Sequence, residues 1–145
     1  MKDDLPLTED GLPSAYQFRP DLELTPRQVA SMLKDPASKL VLIDCREQVE
    51  WDTARIEGSQ LIPLGQLLSS ADDLDLDEDV QVAVICHHGQ RSLQAAVTLQ
   101  HSGVPSAKSV AGGIDCWSQA VDSSVPRYER FGNKCRLKAG ADTSG

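Results

Sequence analysis

The chain has no surplus of positive charge. Its 14 Lys and Arg stand against 22 Asp and Glu, a formal net charge of −8 over 145 residues. A nucleic-acid partner is therefore not expected, because phosphate contacts need a basic face. No apolar run is long enough to span a bilayer, and the opening MKDDLPLTED lacks the hydrophobic stretch of a secretory signal. No membrane partner is expected, and the cytoplasm is the expected compartment. The cysteines at 45, 86, 116 and 135 form no Cys-x-x-Cys pair, so zinc ribbons and thioredoxin-like redox motifs have no support. Without an export signal, free thiols are expected rather than disulfides. Internal repeats are absent. The acidic run ADDLDLDEDV invites a calcium reading, but counting from Asp73 puts Glu78 and Val84 where an EF-hand loop needs Gly and an acid. That run reads as a solvated loop.

What is present is an ordinary globular balance, 40% hydrophobic and 25% charged, at a length suited to one domain. Residues 1–20 carry Pro6, Pro13 and Pro20 with little apolar periodicity and read as an N-terminal arm. In LELTPRQVASML a short strand meets Thr25 as N-cap and Pro26 at the first helical position. KLVLIDC and VQVAVIC are continuous apolar runs of the kind buried on both faces of a sheet. REQVEWDTARIEG starts as a helix, with Arg46 and Glu50 one turn apart and able to pair. SQLIPL, LGQLLSS, SLQAAVTLQHSG, SAKSVAGG and IDCWSQAV continue the alternation of strand and helix. The expected fold is α/β, a three-layer α/β/α arrangement with a central, mainly parallel sheet, over residues 21–128. From 129 to 145 the chain is polar and locally basic, with Arg130, Lys134, Arg136 and Lys138, and reads as a tail rather than a second domain. Cys135 within it is a minor candidate for a resolving thiol or sulfur acceptor.

Chemistry in a parallel sheet gathers where strand C-termini meet helix N-termini, and VAVICHHGQRS lies there. Basic residues at a helix N-terminus oppose the helix dipole, so their presence beside a thiol points to an anion that the sequence does not contain. A strand-to-helix loop can turn successive N–H groups inward as a concave anion site. Cys86 opens the loop, and His87, His88, Gly89, Gln90, Arg91 and Ser92 follow it. Gly89 permits a positive φ. The inward amides, the helix dipole, Arg91 and a partly protonated His87 or His88 would together lower the thiol pKa. The bland alternative is a small buried hydrophobe with two solvent-facing histidines; the combination of thiol, glycine and arginine in this setting favours a nucleophile. Cys-His-His in a row has the wrong spacing for a compact metal site.

The Cys-x4-Arg loop at 86–91 resembles the active-site loop of rhodanese-like sulfurtransferases. LIDCREQVEW resembles that family's Asp-Val-Arg…Glu-aromatic segment at Asp44, Arg46, Glu50 and Trp51, and VAGGIDCW its Gly-Gly…Trp segment at Gly112, Gly113 and Trp117. DSSVPRY is similar to the ending of members found alone or fused to ubiquitin-activating-like enzymes. One stretch departs: His-Ile-Pro-Gly-Ala appears as Arg55, Ile56, Glu57, Gly58 and Ser59, so no histidine role carries over, while the turn is expected to persist. Cys45 and Cys116 stand where a small apolar residue is more usual and read as core thiols. The resemblance implies transfer of sulfane sulfur by ping-pong chemistry, with Cys86 and Arg91 as the catalytic residues. Cys86 would attack the outer sulfur of a donor such as thiosulfate, release sulfite and carry a persulfide to cyanide, a thiol or a protein persulfide acceptor. Amides from His87 to Ser92 would hold the anionic sulfur, with Asp44 and Arg46 bracing the site, and with no cofactor or metal. Two rivals stand beside this reading. Cysteine phosphatases and arsenate reductases use a loop one residue longer, and a rhodanese-like binding or relay module need not turn over.

Overall fold

The computed structural model describes residues 7–74 and 76–138; the remainder of the expected arm and tail, and Asp75 of the acidic run, lie outside the described residues. The order of elements is β1 (Glu23–Leu24), α1 (Pro26–Lys34), β2 (Leu40–Asp44), α2 (Gln48–Thr53), β3 (Ser59–Leu61), α3 (Leu64–Ser69), a 3₁₀ turn (Ala71–Asp73), β4 (Gln81–Ile85), α4 (Gln90–His101), β5 (Lys108–Val110), α5 (Gly113–Ala120), β6 (Tyr128–Phe131) and β7 (Lys134–Leu137). Strands β1 to β5 form one sheet in the order β1-β5-β4-β2-β3, and every pairing is parallel.

The apolar runs KLVLID and QVAVI become the central strands because both faces are covered. Leu42, Ala83, Ile85 and Val110 pack beneath α1 and α5 with Val29, Ile114 and Trp117. Ile43, Val82 and Val84 pack against Leu67 of α3 and Ala95 and Leu99 of α4. Alternate residues of one strand thus feed different layers, which gives the three-layer α/β/α fold. Each fully buried Leu, Ile or Val contributes roughly 1.5–3 kcal/mol. Helix α1 starts as its sequence indicates: the Thr25 hydroxyl accepts from the Gln28 amide at 3.1 Å and the Gln28 side chain accepts from the Thr25 amide at 2.8 Å, a reciprocal cap. Gly103, with φ +100°, follows the last residues of α4.

Two segments differ from expectation. Residues 7–20 pack on the domain: Leu12 is buried, with Ala111, Cys116, Tyr16 and Phe18 around it, and the Tyr16 hydroxyl donates to the buried Glu23 carboxylate. The segment read as a polar tail forms an antiparallel ribbon of β6 and β7 through residue 137. The ribbon's polar sequence hides this because only Tyr128 and Cys135 of it pack on the core, and its other ties to the domain are ionic, as the site shows.

Candidate active site

Cys86 is the first residue beyond β4, at the C-terminal edge of the sheet, and only 1% exposed. Gly89 caps α4 with φ +105°, which no other residue type adopts without strain. This turn brings the Gly89 amide to 3.1 Å from the Cys86 sulfur and the Ser92 amide to 3.3 Å. The Ser92 hydroxyl lies 3.3 Å from the same sulfur and 2.7 Å from the Ser109 hydroxyl on β5. On the other side stands Cys45, the residue after β2. Its thiol, donating toward Cys86, is the largest influence pulling the Cys86 pKa down to about 5; burial opposes it, and the Ser92 hydroxyl and the Ser92 and Gly89 amides reinforce it. The same contact pushes the Cys45 thiol up, so in this pair Cys45 keeps its proton and Cys86 carries the charge.

The loop is fixed from behind by α5. The amides of Ile114 and Asp115 donate to the carbonyls of Cys86 and His87 at 2.8 and 3.1 Å. A Cβ on Gly113 would sit 2.3 Å from the His87 carbonyl oxygen, so only glycine admits this approach. With two carbonyls of the loop turned toward α5, the Gly89 and Ser92 amides beyond them are left for the sulfur.

The arginines of the site are held by carboxylates from other elements and from the strand end. Arg91 is held by Glu50 of α2 through two bonds of 2.8 Å, and it influences Cys86 only through space. Glu50 is completely buried, and it also accepts from Arg130 of β6 at 2.7 Å and from the Tyr128 hydroxyl at 2.7 Å. Burial would raise its pKa, but the Arg91 and Tyr128 bonds outweigh that and hold it near 2. Arg46 does not pair with the Glu50 carboxylate. Its guanidinium lies on Asp44, with bonds of 2.6 and 2.8 Å, and reaches the Tyr128 hydroxyl at 3.0 Å and the Ala54 carbonyl at 2.5 Å. Three guanidinium groups thus face two carboxylates, and of the three Arg91 is the one that acts through space on Cys86.

His87 supplies no charge. Burial, with His88 next to it, lowers its pKa to about 4. Its ring stacks on Tyr128 at 4.0 Å between centroids, and its Nε2 lies 3.1 Å from the Tyr128 carbonyl. A carbonyl only accepts, so Nε2 bears the proton. The ribbon is therefore part of the loop's support. His88 stacks on His87 and is exposed, as is Gln90. Gly58 keeps a turn at φ +95°, and Arg55 lies over the Trp51 ring. Among the described residues, no three His, Cys, Asp or Glu side chains are grouped to hold a metal ion, and no helix is long and apolar enough to cross a membrane.

The sequence model of the Rhodanese-like domain matches residues 25–120. The chain belongs to the rhodanese-like domain family. This rhodanese-like chain is similar to a probable adenylyltransferase/sulfurtransferase, MoeZ of Mycobacterium tuberculosis, at 34% identity over 105 residues, covering 72% of this chain and 26% of that protein. It is similar to the adenylyltransferase and sulfurtransferase UBA4 of Yarrowia lipolytica at 31% identity over 119 residues, covering 81% and 29%. A solved rhodanese-related protein from Thermoplasma volcanium superimposes with a TM-score of 0.59 at 28% identity, covering 69% of this chain and 93% of that one. The chain spans about a quarter of the length of the first of these curated relatives.

Sequence reasoning missed Cys45, Ser109 and Arg130 as neighbours of the site. A parallel alignment of LIDC with VAVIC would have indicated Cys45; nothing local marks the other two.

Proposed function

We propose that this rhodanese-like chain moves sulfane sulfur through a persulfide on Cys86. The reading is carried by one observation: the Cys86 sulfur faces two main-chain amides and a hydroxyl at 3.1–3.3 Å, so its thiolate persists at neutral pH. Names of relatives that include sulfurtransferase agree with it.

In the first half-reaction the Cys86 thiolate attacks the outer sulfur of thiosulfate. The sulfur–sulfur bond of the donor breaks, and sulfite leaves with the electron pair. The new terminal sulfur is anionic and extends the charge outward from the amides, with the Arg91 guanidinium acting on it through space. In the second half-reaction an acceptor thiolate or cyanide attacks that terminal sulfur and Cys86 leaves as thiolate. The pair of electrons returns to Cys86, so no redox cofactor takes part. Arg91 and Glu50 are positioning residues here: they hold α4 against α2 and the ribbon and so keep the amides aimed at the sulfur.

Intact mass after incubation with thiosulfate tests the proposal. One added sulfur atom on the wild type, removed by cyanide and absent from Cys86→Ser, is expected. Sulfur on Cys45, Cys116 or Cys135 instead would overturn the assignment. An amount of p-nitrophenyl phosphate hydrolysed that depends on Cys86, with no sulfur taken up, would favour the phosphatase reading.

A further inference from the structure

Cys45 is a thiol with a place at the site and no step in the transfer. It follows β2 as Cys86 follows β4, and the register that pairs Asp44 with Ile85 sets these two residues side by side. The Cys45 amide continues that ladder, donating to the Ile85 carbonyl at 3.0 Å. Register mates in a parallel pair leave the sheet on the same face, and both sulfurs lie in one apolar cluster with Leu67, Ala95 and Leu99. Neighbouring strands run about 4.8 Å apart, within the Cα separation of roughly 4.4–6.8 Å that a disulfide spans. Both thiols are free.

We propose that Cys45 is the resolving thiol of Cys86: after a hydroperoxide oxidises Cys86, Cys45 closes a Cys45–Cys86 disulfide that halts sulfur transfer until a thiol reductant opens it. This rests on the reading of Cys86 as a thiolate that small anionic donors reach, since a path that admits thiosulfate also admits hydrogen peroxide. In the first step the Cys86 thiolate attacks a peroxide oxygen, the O–O bond breaks, and hydroxide leaves to become water, giving a sulfenic acid. In the second, the Cys45 sulfur attacks the Cys86 sulfur, the S–O bond breaks, and water leaves with the Cys45 proton. The electrons lost by the two sulfurs are those gained by the peroxide.

The arrangement also sets the order of events. Next to the Cys86 thiolate, Cys45 holds its proton and is a poor nucleophile. A sulfenic acid is neutral, so oxidation removes the Cys86 charge, the largest of the influences that keep Cys45 protonated, while burial still acts on it. The other two cysteines are elsewhere: Cys116 packs with Leu12 and Ala111, and Cys135 sits on β7 opposite Arg130. Closure diverts the sulfenic acid from sulfinic acid, a form that thiols do not restore.

The test exposes the reduced, reductant-free chain to equimolar hydrogen peroxide, followed by intact mass and a non-reducing peptide map. Expected are loss of two hydrogen atoms, a cross-linked peptide pair holding Cys45 and Cys86, and cyanolysis that is lost and then restored by dithiothreitol. In Cys45→Val, two molar equivalents of hydrogen peroxide, one for each oxygen of a sulfinic acid, should add two oxygens to Cys86, and dithiothreitol should not reverse it. Sulfinic acid at Cys86 of the wild type, a cross-link to Cys116 or Cys135, or an unoxidised Cys86 would each overturn the proposal. Thiosulfate uptake is measured on an untreated portion. A chain that cross-links yet takes up no sulfur sinks the transfer reading alone, and one that takes up sulfur without cross-linking sinks the role of Cys45 alone.

Discussion

The turns after β4 and after β5 are built alike and treat their cysteines in opposite ways. In each, a strand ends, a glycine with positive φ caps the next helix (Gly89 at +105°, Gly112 at +76°), and a buried cysteine lies within a few residues. Cys86 precedes its glycine, and the amides of Gly89 and Ser92 face its sulfur. Cys116 follows its glycine inside α5, where the amides of Ile114 and Asp115 are already taken by the carbonyls of Cys86 and His87. Burial, then the Asp115 carboxylate, pushes Cys116 up to about 11, whereas Cys86 falls to about 5. Nearness to a helix N-terminus therefore does not activate a thiol. The donors serve whichever atom the backbone sets in front of them.

The comparison can be broken most sharply by exchanging the cysteines' fates. Cys86→Ser should reduce sulfur transfer by at least about 10³-fold in a cyanolysis assay, because it removes the nucleophile. Cys116→Ser should leave the rate within about twofold; a large loss would mean the second turn does more than support the first. Next in size, Gly113→Ala drives a methyl group toward the His87 carbonyl at a φ of +66°. A loss of about 3 kcal/mol in urea unfolding is expected, and an unchanged midpoint would show that α5 does not pin the loop.

Glu50→Gln should cost about 2 kcal/mol, since it leaves Arg91 and Arg130 without their carboxylate, and Arg91 is partly solvated. The pH dependence sharpens this. The Glu50 carboxyl sits near 2 rather than 4.5, so its contribution is whole above pH 4.5 and fades as pH falls toward 2. Unfolding free energy should drop less steeply over that range in Glu50→Gln than in the wild type; parallel curves would refute the network. The smallest effect concerns one donor. Ser92→Ala removes the hydroxyl and keeps the amide, so the inflection of Cys86 alkylation with pH, expected near 5, should rise by about one unit. An inflection that stays in place would show that the hydroxyl does not hold the thiolate.

Much of the architecture could be read along the chain because it is local. Thr25 and Pro26 start α1, the two unbroken apolar runs make the central strands, and Gly89 makes the turn that the loop needs. The ribbon could not be read, since Arg130 finds Glu50 80 residues away and no apolar alternation announces the pairing. The partner of Arg91 is hidden in the sequence for a related reason. Positive charge near a thiol looks like direct stabilisation until the partner carboxylate is found, and Arg91 meets Glu50 41 residues earlier. His87 looked ionisable at neutral pH, but Tyr128 covers it and burial keeps it neutral.

From sequence alone come the order of strands and helices from β1 to α5, the place of Cys86 at a strand end and the glycine that lets the main chain curl there, because each depends on contacts within a few residues. Only the tertiary structure decided which thiol carries the charge and which keeps its proton, and where the arginines spend their own charge. Those outcomes depend on sheet register and on burial, which bring together side chains that the chain itself holds tens of residues apart.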